Sequence, residues 1–156
     1  MVEAKVKLDL GCGDRKGEGW IGIDINSAYN PDIIYDLNMG LPFFKYYADL
    51  ILLNNSLEHI HDPMFLLKEC HRVLKEKGEI EIIIPNCQWF PLICLSFFCD
   101  IHRLWNWRMR MKKNRGIHYT LWTPYTIELA LGVVGFKVIR RRGFYLSKSF
   151  YIKAVK

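Results

Sequence analysis

The stretch that decides the fold runs from Lys7 to Asp24 and reads KLDLGCGDRKGEGWIGID. Two short apolar runs, Lys5–Leu10 and Trp20–Ile25, are typical of buried strands. A turn containing Gly11 and Gly13 follows the first run, and only the six residues 14–19 then precede the second. A crossover that contains a helix needs at least about 10–12 residues. The spacing therefore predicts two strands whose connection holds no full helix.

Strand and helix patterns alternate along the rest of the chain. The predicted strands are Ile33–Tyr35, Asp49–Leu53, Glu79–Ile84, Phe136–Arg142 and Ser149–Val155. Asp49–Leu53 is apolar enough to be a strand buried on both faces. One helix begins at Asp62-Pro63, runs to about Lys77 and stops at Gly78; another begins at Thr123-Pro124, runs to about Val134 and closes at Gly135. Such alternation predicts an α/β fold with a mostly parallel sheet and an antiparallel C-terminal hairpin.

Length and composition favour one globular domain over residues 1–156. Of the 156 residues, 51% are hydrophobic and 24% charged, which excludes disorder, collagen-like repeats and a coiled coil as the main architecture. The N-terminus lacks a signal-peptide layout, and the longest apolar run, the 11 residues of Trp89 to Cys99, is short of the roughly 20 that span a membrane. We expect a cytoplasmic protein. The five cysteines lack C-x-x-C spacing, so neither a disulfide framework nor a metal site is predicted.

The net charge of +6 is distributed unevenly. Residues 1–99 carry a balance of −5 and residues 100–156 a balance of +11. Such a basic half is charged enough to attract an anionic partner, such as a nucleic acid or a membrane surface. The favoured interpretation is a solvated surface, or basic charge that offsets the acidic half within one fold.

The glycine turn also limits the cofactor. A dinucleotide fingerprint needs a third glycine where this chain has Lys16, and an acid about 20 positions further on. Here Asp24 follows Gly13 by only 11 positions, and no helix N-terminus is available for a pyrophosphate. NAD and FAD are therefore disfavoured. A nucleoside cofactor without phosphates fits, because it needs only backbone donors and a carboxylate for its ribose.

These residues carry a family resemblance. The run KLDLGCGDRKGEGWIGIDIN resembles the opening motif of class I S-adenosylmethionine-dependent methyltransferases, in a subgroup with a short GCG…GW…D connection. The likeness continues through Asp36-Leu37, NNSLEHIHDP (54–63), LLKECHRVLKEKGEIEIIIPN (66–86) and HYTLWTPYTIELALGVVGF (118–136), with 87–117 unmatched. It implies a single-domain Rossmann-like methyltransferase fold with a seven-stranded sheet, and S-adenosylmethionine as cofactor with S-adenosylhomocysteine as product.

The resemblance also implies the cofactor-binding residues. Gly11 and Gly13 would flank the methionine part with their N–H groups, and Asp9 would lie beneath them near the amino group. Asp24 would accept from both ribose hydroxyls, and Asp36 would face the adenine amine. The whole expected set is Asp9, Gly11, Cys12, Gly13, Asp24, Ile25, Asp36, Leu37, Asn54 and Asn55.

The acceptor side is less defined. Methyl transfer needs positioning of the acceptor and, for a hydroxyl or amine, a general base. The candidates are Glu58, His59, His61, His118 and Tyr119, of which His59 and His118 are the predicted catalytic pair. The chain lacks an Asn/Asp-Pro-Pro-Tyr/Phe motif after the fourth strand, which argues against amino-group methylation of adenine or glutamine. A small-molecule or carbohydrate-like acceptor is the default prediction, and an anionic one would explain Arg108 and Arg110.

Residues 87–117 form an apolar and then basic insertion with three interpretations. It is a lid over the acceptor, a homodimer interface, or a basic-aromatic surface for nucleic acid or anionic lipid. The first two are favoured, with Arg108, Arg110 and Tyr119 as acceptor-binding residues. The alternative overall function is a non-catalytic methyltransferase-fold module that binds RNA or a protein partner through the basic half. Nucleic-acid binding is possible but not favoured.

Overall fold

The computed structural model describes residues 4–87, 118–143 and 147–156. The elements are β1 (Lys7–Leu10), β2 (Ile21–Asp24), β3 (Ile33–Ile34), β4 (Ala48–Asn54), α1 (Pro63–Val73), β5 (Leu74–Pro85), α2 (Pro124–Val134), β6 (Lys137–Arg142) and β7 (Ser149–Val155). Single turns of 3-10 helix cover Ser27–Tyr29, Leu37–Met39 and Leu57–His59. Neither helix of these ranges is long and apolar enough to cross a membrane.

Seven strands of the described ranges form one sheet in the order β3-β2-β1-β4-β5-β7-β6. Strands β1 to β5 pair in parallel, and β7 pairs antiparallel with both β5 and β6. The predicted α/β fold, the parallel sheet and the antiparallel C-terminal hairpin are thus confirmed. The chain also passes from β1 to β2 without a helix, as the short spacing requires.

The core lies on one face of the sheet, beneath α1 and α2, which contact each other. Alternate residues of β5 and β7 point into it, so Ile80, Ile82 and Ile152 are fully or almost fully buried. The intervening Glu79 and Glu81 lie on the opposite face. Because none of the connections among β1 to β4 contains an α-helix, the described residues place helices on one face of the sheet only.

The prediction that Asp49–Leu53 is buried on both faces is wrong in part. Ile51 and Leu53 have no exposed surface, but Leu50 and Leu52 are only partly buried. These two residues face away from α1 and α2, on the side where the described chain provides no helical layer. Leu52 instead lines a cleft described below.

The first helix is shorter than predicted. It ends at Val73, and Leu74 already has an extended backbone and pairs with Ala48 of β4. Tyr46 and Tyr47 donate their N–H groups to the carbonyls of Arg72 and Val73, which would otherwise lack partners at the helix end. Pairing with the neighbouring segment therefore replaces the last predicted turn, and Gly78 lies within β5.

The starts of both helices are as predicted. Asp62 caps α1 by accepting from the N–H of Phe65, and Pro63 occupies the first position. Thr123 and Thr126 form a reciprocal capping box at α2. Gly135 ends α2 with a φ of 107°, a left-handed conformation that glycine adopts without strain. The cap residues thus fix where each helix begins.

Candidate functional site

A cleft of about 1120 Å³ opens at the carboxyl ends of β1, β2, β4 and β5. The strand order places β2 and β3 on one side of β1, and β4 and β5 on the other. Ligands of open α/β sheets bind at such a reversal of strand order. Every predicted cofactor residue lines this cleft: Asp9, Gly11, Cys12, Gly13, Asp24, Ile25, Asp36, Leu37, Asn54 and Asn55.

The glycine turn brings the backbone close to the loop after β4. Gly11 has a φ of 73°, and a Cβ built on it would lie 2.6 Å from the Cβ of Ser56. Gly13 has a φ of 55°, and nothing lies within 4 Å of its virtual Cβ. The turn thus leaves the cleft wall without side chains at these two positions.

The N–H groups of the two glycines already donate within the protein. Gly11 N–H donates to the carbonyl of Ile23 at 2.7 Å, and Gly13 N–H donates to Oδ2 of Asp24 at 3.0 Å. A ligand carboxylate would therefore have to compete with these internal hydrogen bonds for the two N–H groups. What the glycines offer a ligand is close approach to the backbone.

Asp24 stands at the end of β2 with both carboxylate oxygens held in place. Its Oδ1 accepts from the N–H of Asn26 at 2.8 Å, and its Oδ2 accepts from Gly13. A carboxylate offers about four acceptor positions, so two remain for a ligand with neighbouring hydroxyls. Ile25 beside it is 65% exposed, an apolar surface within the same cleft.

Asp36 and the asparagine pair complete the cleft on either side. Oδ1 of Asp36 accepts from the backbone N–H and the side-chain amide of Asn38, which caps the turn Leu37–Met39. Asn55 has a φ of 52° and donates from Nδ2 to Oδ1 of Asn54. Both regions are therefore rigidly positioned by local hydrogen bonds.

Asp9 is a buried acid below the glycine turn. Only 4% of its surface is exposed, and its Oδ1 has no hydrogen-bond partner among the described residues. Burial, and then the charge of Asp24, raise its pKa to about 6. The nearby thiol of Cys12 is also mostly buried, and burial raises its pKa to about 11, so it is neutral at pH 7. A cation placed here would favour ionised Asp9.

Glu58, His59 and His118 meet on another wall of the cleft. One ligand atom from each lies within 4.8 Å of the others, and the two imidazole rings are 4.6 Å apart and nearly perpendicular. Glu58 is 2% exposed, and burial raises its pKa to about 7. Burial, and then His59, lower the pKa of His118 to about 4. The predicted catalytic histidines are thus adjacent in space.

The sequence analysis missed part of this site. Glu58 was a candidate base but not in the predicted catalytic pair; the available signal was its place in the Leu57-Glu58-His59 run that follows the fourth strand. Aromatic side chains that also line the cleft were not predicted: Trp20, Tyr29 and Tyr35.

The predicted acceptor residues are not brought together by the described structure. Tyr119 is not a lining residue of the cleft; its ring packs on His61, with centroids 4.1 Å apart, and is half exposed. Arg108 and Arg110, and the insertion from residue 88 to 117, lie outside the described residues.

Comparison with known proteins agrees with this architecture. Three solved structures share the fold: a SAM-dependent methyltransferase from Archaeoglobus fulgidus (17% identity, 99% of this chain and 87% of that chain, TM-score 0.72), an S-adenosylmethionine-dependent methyltransferase from Mesorhizobium loti (17%, 99% and 92%, 0.73), and one from Methanosarcina mazei (19%, 100% and 94%, 0.71). No curated protein sequence matches the chain. The profile of a methyltransferase-domain family matches residues 3–141. The chain therefore belongs to this methyltransferase-domain family and has the class I fold of S-adenosylmethionine-dependent methyltransferases.

Proposed function

We propose that the chain transfers a methyl group from S-adenosylmethionine to a small-molecule or carbohydrate-like acceptor, anionic acceptors included. The observation that carries the proposal is the convergence of all ten expected cofactor residues on one cleft. These residues lie at or just beyond the carboxyl ends of four different strands and are spread over residues 9–55. Family membership supports methyl transfer as the reaction class, and the cleft offers a site in which the cofactor would bind.

The chemistry of the cleft fits this cofactor. Asp24 retains acceptor capacity for two ribose hydroxyls, and exposed Ile25 offers an apolar surface for a base. Asp9 has an oxygen without a partner, which suits an ammonium group above the glycine turn. The side-chain-free surface at Gly13 allows the ligand to approach the backbone. Each feature matches a different part of the molecule.

S-adenosylmethionine held by Asp9, the glycine turn and Asp24 would supply an activated methyl group to the acceptor lone pair, and its sulfur would keep the electron pair of the broken bond. The protein has to orient the acceptor, exclude water and remove the acceptor proton. His118 is unprotonated at pH 7, because burial lowers its pKa to about 4; it can accept a hydrogen bond from the acceptor, but so low a pKa makes it a weak base. His59 lies beside it on the same wall and would help to orient the acceptor.

The test is calorimetric titration with S-adenosylmethionine and S-adenosylhomocysteine, using the full chain and two variants. We expect micromolar binding, lost in Asp24→Ala and retained in Glu18→Ala, whose exposed carboxylate lies in the same connection but does not line the cleft. A folded protein that binds neither compound would contradict the proposal. Once binding is established, Arg108→Ala and Arg110→Ala should raise the acceptor KM without changing cofactor affinity.

The alternative, a non-catalytic module for RNA or a protein partner, has one supporting feature. The edge strand β6 exposes Lys137, Arg140 and Arg142. Charged residues on an edge strand also prevent pairing with other sheets, so the feature has a structural explanation. RNA affinity that falls steeply with salt, together with no cofactor binding, would favour this alternative.

A further inference from the structure

We propose that Glu58, His59 and His118 form a binding site for a divalent transition-metal ion in the wall of the cleft. Two imidazoles and one carboxylate are a ligand set that suits first-row transition ions, whereas Mg²⁺ prefers oxygen ligands throughout. The three ligand atoms lie within 4.8 Å of one another. Bonds of about 2.1 Å in a tetrahedral site put ligand atoms roughly 3.4 Å apart. Small side-chain rotations would close the remaining distance.

The second observation is that Glu58 is buried and its carboxylate has no hydrogen-bond partner in the described residues. Its side chain is 98% removed from solvent, and neither carboxylate oxygen has a hydrogen-bond partner in the described residues. No ion pair to Glu58 occurs within residues 4–87, 118–143 and 147–156. A buried carboxylate without compensation is costly, and it is commonly paired or coordinates a metal. Here the groups beside it are two imidazoles, which complete a coordination set.

The backbone holds the three side chains in this arrangement. Glu58 and His59 share one 3-10 turn, which His59 closes by donating its N–H to the carbonyl of Ser56. Tyr119 N–H donates to the carbonyl of Glu58 at 2.8 Å, which fixes the segment that carries His118. A site whose ligands are positioned before the ion arrives loses less conformational entropy on binding.

The site would leave one coordination position open. All three residues line the cleft, so an ion held by them is accessible from it. Three protein ligands with an open position characterise catalytic rather than structural zinc sites. An ion at this place would bind an acceptor oxygen and lower the pKa of its hydroxyl. This last step rests on the proposed methyl transfer, whereas the metal site itself does not.

The experiment uses the full chain after treatment with a chelator. Co²⁺ is titrated in and followed by its visible absorption, and Zn²⁺ is then used to displace it. We expect one ion per chain and no sulfur-to-cobalt charge-transfer band, since the ligands are nitrogen and oxygen. Replacing a ligand should weaken Co²⁺ binding by about tenfold or more in His118→Ala, His59→Ala and Glu58→Gln.

His71→Ala is the matched control, because it removes a histidine of α1 that packs against Phe136 outside the cleft. Its Co²⁺ affinity should equal that of the unaltered chain. X-ray absorption of the Zn²⁺-loaded unaltered chain should show two imidazoles and no sulfur, which requires no variant to fold. Absence of stoichiometric binding overturns the proposal, and so does equal affinity in all variants, which would place the ion elsewhere on the chain.

The two proposals fail separately. Cofactor titration of the chelator-treated chain reports on Asp24 and its neighbours, and the Co²⁺ titration is done without cofactor. Cofactor binding without metal binding would remove the metal site and leave the methyltransferase proposal intact. The reverse result would retain the metal site and remove the proposed reaction.

Discussion

For Asp9, the sequence predicts where the residue lies but not the pKa of its carboxyl group. Asp9 lies near the end of β1, two residues before Gly11, and the family resemblance predicted that it belongs to the site. Its raised pKa could not be predicted, because the causes are burial beneath the turn and the charge of Asp24, which is 15 positions away in sequence and belongs to β2. Tertiary packing sets both causes.

We predict that Asp9→Asn stabilises the fold at pH 7 and weakens the binding of the cofactor. The pKa of Asp9 is higher in the native state than in the unfolded chain, so the native state holds this proton more tightly. The free energy of unfolding therefore falls as pH rises from about 4 to 6 and Asp9 ionises. The variant lacks this fall and should be more stable at pH 7 by roughly 2 kcal/mol. Urea unfolding at pH 4 and pH 7 measures it.

The same variant should bind S-adenosylmethionine about tenfold more weakly, since a hydrogen bond to a charged group contributes about 1.5–3 kcal/mol. Stability and affinity would then change in opposite directions. A loss of both would mean that Asp9 supports the turn structurally.

A second prediction concerns Gly11. Gly11→Ala places a methyl group 2.6 Å from the Cβ of Ser56 and forces alanine to a φ of 73°. We expect a loss of about 2–4 kcal/mol in unfolding free energy, from backbone strain plus overpacking. Gly13→Ala is the control, since its φ is 55° but its Cβ would meet nothing within 4 Å. It should lose only about 1–2 kcal/mol. Equal losses in urea titrations would refute the close approach to Ser56.

At the scale of elements, the two helices show what local sequence can and cannot specify. The boundaries of α2 were predicted well because Thr123 and Gly135 act on their own neighbours. The end of α1 was predicted four residues late, at Lys77 instead of Val73. Its determinants are Ala48, which pairs with Leu74, and Tyr46 and Tyr47, which satisfy the last carbonyls. None of these lies near the helix end in sequence.

Arg72 links the end of α1 to the segment before β4. It forms a two-point ion pair with Glu69, and it donates to the carbonyls of Leu41 at 3.1 Å and Phe43 at 2.8 Å. Glu69 in turn accepts from the N–H of Leu41 at 3.1 Å. One guanidinium therefore satisfies several groups that would otherwise need water.

We predict that Arg72→Lys destabilises the fold by about 1–2 kcal/mol although the charge is kept, because an ammonium cannot reproduce the planar, two-point geometry. Lys68→Arg, an exposed position of the same helix, should change stability by less than about 0.5 kcal/mol. Thermal unfolding of both variants decides the matter. An unchanged Arg72→Lys variant would show that charge alone accounts for the contact.

At the scale of the molecule, the acidic and basic halves of the sequence meet in the sheet. Lys153 of β7 pairs with Glu79 at 2.8 Å and Glu81 at 3.1 Å, both in β5. Part of the basic charge thus offsets acidic charge within the fold, one of the two interpretations that the sequence left open. Glu79 and Glu81 alternate with the buried Ile80 and Ile82, so this part of β5 presents charged side chains on the face opposite to α1 and α2. Which face α1 and α2 cover depends on crossover geometry and not on local pattern.

The cleft itself is a property of the whole molecule, and this gives the last prediction. Its walls come from residues at or just beyond the ends of β1, β2, β3 and β4. These residues, such as Gly11, Asp24, Asp36 and Asn54, meet only when the sheet has formed. A ligand of the cleft therefore binds the native state and not the unfolded chain. S-adenosylhomocysteine at 100 times its Kd should add about 2.7 kcal/mol to the stability. For a chain of this length that corresponds to a Tm increase of roughly 5–10 °C, growing with ligand concentration. Asp24→Ala should abolish the increase, and Glu18→Ala should keep it. An increase that survives Asp24→Ala would mean that the ligand stabilises the protein from a different site, and the assignment of this cleft to the cofactor would be wrong.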